Sequence, residues 1–151
     1  MKNDSGRKLF CILLAVCLIG TMIVPAFAAG AEPAQPFSSP YLSNYNAYVY
    51  PAGGGVVQVW FDVTGTRDID CLGSMIIQLY ESTDGRSYSW VKNFTSSEYP
   101  SMMGYKTGFH TSHVTYNGVP GRYYMAYVNI YGGPAEGGTS RYFWTNLEIA
   151  S

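Results

Sequence analysis

From Leu42 onward, the chain consists of short runs in which apolar and polar side chains alternate, and the runs are separated by clusters of Gly, Pro, Asn and Asp. Alternation with a period of two is typical of a half-buried β-strand, whereas an amphipathic helix repeats every 3.6 residues. The clearest run is 122–131, which has one apolar face made of Tyr124, Ala126, Val128 and Ile130. This pattern restricts the chain to strands joined by turns.

Seven runs of this kind follow one another at short intervals. We predict strands over 44–50, 56–64, 74–82, 87–94, 109–116, 122–131 and 140–149. Asp84-Gly85 predicts a tight hairpin turn, because both residues adopt positive φ at low cost. Polar residues 65–73 are expected to form a connection between strands, and 95–108 is expected to be irregular.

Strands at this spacing predict an all-β fold, an antiparallel β-sandwich of the immunoglobulin-like kind with about seven strands. A small β-barrel is the alternative. Tyr124 follows a glycine-containing turn at the start of the penultimate strand. Immunoglobulin-like folds place a corner tyrosine there, and its hydroxyl bonds to an upstream backbone group.

The first 28 residues have the pattern of a secretory signal peptide. A basic start with Lys2 and Arg7 precedes an apolar run over 9–24, and Ala26 and Ala28 supply the small residues that signal peptidase requires. We therefore expect cleavage after Ala28 and an extracellular protein. The domains expected are a signal peptide (1–28), an extended Pro-rich leader (29–40) and one β-sandwich domain (41–151).

Cysteine and charge narrow the classes of partner. Of the three cysteines only Cys71 lies beyond the signal peptide, so an internal disulfide is not expected. Beyond residue 28 the chain has six Lys and Arg against nine Asp and Glu, a net charge near −3. A chain without a basic stripe is a poor ligand for nucleic acid, and no polybasic segment suggests a membrane surface after cleavage.

Catalytic and metal sites find little support in the sequence. His110 and His113 are three apart on one predicted strand, so their rings are expected on opposite faces. Asp62, Asp68 and Asp70 are the best candidates for a carboxylate pair of the kind that hydrolyses glycans. Asp68 and Asp70 are also weak candidates for calcium ligands. No catalytic residue, resident metal or cofactor is predicted.

Aromatic side chains are the most unusual part of the composition, since all 14 Tyr and all three Trp lie beyond residue 40. Tyr and Trp combine a large apolar body with a polar tip, which suits stacking on sugar rings or filling a protein interface. The alternative is that they cover the second face of the sheet or pair with each other across strands. The candidates for a binding face are Trp60, Trp90, Tyr123, Tyr127, Tyr131 and Trp144.

Three segments carry a resemblance to a known group of proteins. They are 79–85 (Leu-Tyr-Glu-Ser-Thr-Asp-Gly), 99–105 (Tyr-Pro-Ser-Met-Met-Gly-Tyr) and 121–126 (Gly-Arg-Tyr-Tyr-Met-Ala). With these segments the chain, from about Tyr41 to Ile149, resembles the uncharacterised small secreted β-proteins of clostridia and related Gram-positive bacteria. The resemblance implies an extracellular location and a small size, and it transfers no catalytic residues.

The sequence thus predicts a secreted, non-catalytic binding module. Its expected partner is a polysaccharide, another part of the cell envelope, or a protein at the cell surface. Two alternatives stay open: an accessory envelope hydrolase that uses Asp62, Asp68 or Asp70, and a secreted effector or toxin-like protein.

Overall fold

The strands of the computed structural model lie within residues 39–151, the part of the chain that the structure describes. In chain order they are β1 (Leu42–Gly53), β2 (Val56–Ser82), β3 (Ser89–Thr95), β4 (Met103–Asn117), β5 (Tyr123–Gly133), β6 (Thr139–Trp144) and β7 (Glu148–Ile149). A 3-10 helix at Pro100–Met102 precedes β4. In this part of the chain, the strands belong to one antiparallel sheet that curls into a half-barrel.

The all-β antiparallel prediction is therefore confirmed, and the finer sandwich assignment is not decided by this sheet. The predicted signal peptide (1–28) and nearly all of the predicted leader (29–40) lie outside the described residues. Within residues 39–151, no helix is long and apolar enough to cross a membrane.

The long strand β2 joins the two halves of the sheet. Residues 56–64 of β2 pair with β1 on one side and β4 on the other. Its later residues pair with β5 on one side, and with β4 and then β3 on the other. A single strand of 27 residues thus runs through the whole fold.

The predicted connection at 65–73 is wrong, because these residues continue β2 as a bent strand. The register against β4 jumps from Thr64↔Phe109 to Ile69↔Thr107, so four residues of β2 face one residue of β4. Extra residues of this kind bend a strand and increase its twist. Segment 65–73 has the polar composition of a loop, although its later residues pair with β4 and β5.

The alternation of β2 and β5 places one row of side chains on the concave, inner side of the sheet. The largest fully buried side chains of this core include Phe61, Leu79, Phe94 and Ile130. Burying a side chain of this size contributes about 1.5–3 kcal/mol. The inner rows of the two sheet halves meet in one hydrophobic cluster, which holds the curled sheet together.

The C-terminal segment closes the open side of the sheet near β1. The prediction of one strand over 140–149 is wrong, since β6 ends at Trp144 and β7 begins at Glu148. Between them Asn146 turns toward β1, where its Oδ1 accepts a hydrogen bond from the N–H of Val49 at 2.9 Å. The N–H of Gly55 donates to the carbonyl oxygen of Ser151 at 2.7 Å.

Tyr124 is fully buried, and its hydroxyl joins two parts of the chain. The hydroxyl accepts a hydrogen bond from the N–H of Val119 at 2.9 Å and donates to Oε2 of Glu81 at 3.1 Å. The other oxygen of Glu81 pairs with Arg122 at 2.5 Å. Burial raises the pKa of Tyr124 above its ordinary value, and the hydrogen bond to Glu81 and the charge of that carboxylate act in the same direction, whereas the bond from the N–H of Val119 lowers it. The predicted bond from Tyr124 to an upstream backbone group is confirmed.

We expect Tyr124→Phe to lower the free energy of unfolding by about 1–2 kcal/mol, because the N–H of Val119 and one oxygen of Glu81 lose their partner. Chemical denaturation measures the loss. Tyr50→Phe is the matched control, since Tyr50 is 52% exposed and should tolerate the change. Equal stability of the Tyr124 variant and the wild type would show that the hydroxyl does not contribute.

The turn between β2 and β3 is closed by the side chain of Asp84, as the Asp-Gly pair predicted. Oδ1 of Asp84 accepts hydrogen bonds from the N–H groups of Arg86 and Ser87, both at 2.9 Å, and from the hydroxyl of Ser82 at 2.8 Å. These donors favour the ionised carboxylate and lower the pKa of Asp84 from 3.8 to about 2.

This shift makes the turn sensitive to acid. Since the folded pKa lies below the unfolded one, the carboxylate stabilises the fold above pH 3.8, and this contribution is lost as the pH falls through about 2. We expect the NMR titration of the Asp84 carboxyl carbon to have its midpoint near pH 2. Asp84→Asn should reduce the loss of stability between pH 4 and 2, and a midpoint at the ordinary value would contradict the assignment.

Candidate aromatic binding face

Five aromatic side chains lie together on the convex, outer side of the sheet. They come from four neighbouring strands, in the order β3, β2, β5 and β6. Register pairs Trp90 with Tyr80, Tyr80 with Met125, and Tyr127 with Trp144, and directly paired residues point to the same face. We call this group the aromatic platform: Tyr80, Trp90, Tyr127, Tyr142 and Trp144.

Ring contacts hold the centre of the aromatic platform in place. The ring of Trp144 lies 5.2 Å from that of Tyr80 and 4.9 Å from that of Tyr127, measured between centroids. Tyr127 also stacks on Tyr142 at 5.8 Å, with 24° between the ring planes. Such pairs contribute about 0.5–1.5 kcal/mol beyond their buried area. The rings therefore support one another along their edges.

Much of the aromatic platform is open to solvent nevertheless. Trp90 is 58% exposed, Tyr142 57% and Trp144 49%, whereas Tyr80 and Tyr127 are half-buried. Trp90 is held by a hydrogen bond from its Nε1–H to Oδ1 of Asn93 at 2.8 Å. The exposed rings of Tyr142 and Trp144 each contact the half-buried Tyr127, so exposed apolar surface is concentrated on this face, as it is at many binding sites.

Polar groups on the same face are amides and not charges. Register places Gln78 opposite Tyr127 and Asn93, and Asn129 opposite Tyr142. Asn129 is buried, and its Nδ2 has no hydrogen-bond partner within residues 39–151. Among the residues that register places on this face of β3, β5, β6 and residues 76–82 of β2, none is Lys, Arg, Asp or Glu; the outer-row Asp62 lies on β2 before the bend. The face therefore offers stacking and neutral hydrogen bonds.

The structure brings together three of the six aromatic residues predicted from the sequence: Trp90, Tyr127 and Trp144. Tyr123 is half-buried at the β7 end of β5, where it pairs with Ser82 and lies beside Gly85. Tyr131 is buried, and its hydroxyl donates to the carbonyl oxygen of Pro134. Tyr131 thus has little surface available for stacking.

Trp60 lies on the first half of the sheet, in another group of rings. It stacks on His113 with 4.2 Å between centroids, and its Nε1–H donates to Oε1 of Gln58 at 2.9 Å. Register places Tyr48, 40% exposed, on its other side. Trp60 is half-buried by this arrangement.

Sequence reasoning missed Tyr80 and Tyr142 as members of the aromatic platform. Tyr142 is two residues before Trp144, so the period of two already placed both on one face. Tyr80 lies on the same face of its strand as Gln78. What the sequence could not supply was the order of the strands, which brings Tyr80 next to β5 and β3.

The candidate carboxylates lie elsewhere. Asp68 and Asp70 are exposed and line a shallow pocket of about 300 Å³ together with Arg67 and Tyr41. Asp62 lies before the bend of β2 and pairs with Asn46 and Thr111. Within residues 39–151, no three His, Cys, Asp or Glu side chains lie close enough together to hold a metal ion.

The two histidines and Cys71 do not form a common site with each other. Register places His110 opposite the buried Val63 and His113 opposite Trp60, so the two rings lie on opposite faces, as predicted. Nε2 of His110 is 3.0 Å from the carbonyl oxygen of Ser101. Cys71 is half-buried and forms no disulfide.

Comparison with known proteins adds no family to this description. No protein-family model matches the chain, and no curated protein matches it.

Proposed function

We propose that this protein is a secreted, non-catalytic binding module whose aromatic platform holds a neutral polysaccharide. One observation carries the proposal. Trp90, Tyr142 and Trp144 are each about half exposed, on a sheet face where the centroids of the contacting rings are only 4.9–5.8 Å apart.

The shape and chemistry of the aromatic platform suit a sugar chain. A pyranose ring has C–H faces that stack on aromatic rings and hydroxyl groups that need hydrogen-bond partners. The rings supply the stacking surface, while the amides of Gln78 and Asn93 can both donate and accept. Because four strands contribute, the face is roughly 14 Å wide, which is enough for several sugar units.

The absence of charge on this face favours a neutral ligand. Single-stranded nucleic acids also stack on aromatic side chains, but their binding sites combine the rings with a basic groove. The net charge near −3 beyond residue 28 makes a polyanion a still poorer partner. Binding of a neutral glycan should therefore be nearly independent of salt.

Location and finer fold belong to the same proposal. Cleavage after Ala28 would release the protein outside the cell, and it rests on the signal-peptide pattern alone. The immunoglobulin-like sandwich stays a prediction. Its support is the bond from Tyr124 to the N–H of Val119, and the core that the two halves of the curled sheet share.

Trp144→Ala should weaken glycan binding at least tenfold, because a central aromatic side chain in a binding site often contributes about 2 kcal/mol or more. The assay is retention of the purified protein on insoluble cellulose, xylan and bacterial cell walls, followed by titration with soluble fragments of the matrix that retains it. Trp90→Ala should act in the same direction.

Tyr50→Ala is the matched control, since Tyr50 is 52% exposed on β1, outside the aromatic platform. Circular dichroism shows whether each variant remains folded. Equal binding by the folded Trp144 variant and the wild type would move the site elsewhere. Wild-type protein that is retained on no glycan would overturn the polysaccharide proposal, and a protein ligand would become the next candidate.

A further inference from the structure

Strand β4 has one edge without a neighbour. Within residues 39–151, β4 pairs with β2 alone, along Met103–Asn117. In an antiparallel strand, alternate residues direct their N–H and C=O groups to the opposite edge. At Phe109 the hydroxyl of Thr107 accepts from the backbone N–H at 3.2 Å and donates to the carbonyl oxygen at 2.8 Å, whereas no backbone group of the described residues pairs with that edge of β4 between Thr111 and Asn117. A row of free donors and acceptors is a template for another strand.

The other edges of the sheet are shorter or protected. On β1, the side chain of Asn146 bonds to the backbone of Val49. β3 has seven residues and carries Lys92, and β6 has only six residues. Proteins commonly block unwanted pairing with short edge strands, charged side chains and bulges. These devices leave β4 as the longest open edge in the described part of the chain.

Protection of β4 is limited to its beginning. Lys106 has a φ of 51° and lies close to the bulge where the register between β2 and β4 shifts. Residues 109–117 contain no Lys, Arg, Asp, Glu, Pro or Gly. This half of the edge is regular, uncharged and rich in Thr and aromatic residues, which favour strand pairing.

We propose that two copies of this protein pair through β4, antiparallel along residues 111–117, to form a symmetric dimer. A two-fold axis places the same uncharged row on both sides, so no like charges meet. The same axis places inner-row residues of one β4 opposite inner-row residues of the other, and outer-row residues opposite outer-row residues. Thr111 and Thr115 belong to the outer row. The strand of each copy satisfies the free backbone groups of the other.

Such a dimer is closed, since each copy uses its β4 edge once. The buried area of a strand pair this short is small, so the dimer should dissociate on dilution. Two aromatic platforms would then belong to one particle. The proposal does not depend on the ligand of that platform, because β4 contributes none of its five rings.

The test compares the molar mass of the full mature protein with that of two Lys variants by analytical ultracentrifugation over a range of concentrations. Thr115 is exposed on β4, and Thr115→Lys would put two positive charges on one narrow interface. We expect a concentration-dependent dimer for the wild type and a dissociation constant raised at least roughly tenfold in the variant.

Asn44→Lys is the matched control, because Asn44 is exposed on β1, at the opposite edge of the same half of the sheet. It adds the same charge and should leave the dimer intact. Amide hydrogen exchange should slow along 111–117 as the wild-type concentration rises. A monomer at every concentration would overturn the proposal, as would a dimer that both variants preserve or both weaken equally.

Discussion

The fold depends on one strand that serves both halves of the sheet. Strand β2 has 27 residues, whereas strands in globular proteins usually have between about 3 and 10. A straight strand of that length could not bury one continuous face in a small protein. The bulge between Thr64 and Ile69 bends β2, so that its two halves direct their inner rows into the same core.

The same bend determines what the outer side of the sheet presents. Before the bend, the outer row of β2 contains Trp60, which stacks with His113 and is half-buried. After the bend, the outer row contains Tyr80, which lies beside the rings of β3, β5 and β6. The aromatic platform is therefore a product of strand order as much as of composition.

Rigidity explains why this surface could act as a binding site. The rings of Tyr127 and Trp144 contact each other, and this contact restricts their rotation in the folded protein. A ligand therefore does not have to order them on binding. The same contacts leave Trp144 half exposed. An apolar surface that is already ordered, with amides beside it, has the chemistry that the proposed neutral ligand requires, since such a ligand both stacks and hydrogen-bonds.

Local patterns in the sequence predicted most of the strands, because the alternation of 122–131 or 56–64 depends only on neighbouring residues. The turn at Asp84 was predicted for the same reason, whereas the bond of the Tyr124 hydroxyl was predicted from the place of a corner tyrosine in immunoglobulin-like folds. The prediction of a connection at 65–73 was wrong. The polar residues of this segment have the composition of a loop, but pairing with neighbouring strands keeps them in β2.

The site was harder to predict than the strands. Trp90, Tyr127 and Trp144 were named as candidates, but the period of two says only which face of a strand a side chain occupies. It does not say which strands are neighbours. Trp60 and Tyr131 have the same residue character as the others, and only strand order and burial separate them from the aromatic platform.

The central claim is that the aromatic platform binds a neutral glycan, and the three indole N–H signals test it most directly. Trp90 and Trp144 belong to the aromatic platform, whereas Trp60 lies in the stack with His113. During an NMR titration with a soluble xylo- or gluco-oligosaccharide, the account predicts that the signals of Trp90 and Trp144 shift while that of Trp60 stays in place. A shift confined to Trp60, or no shift for an oligosaccharide from a matrix that retains the protein, would contradict it.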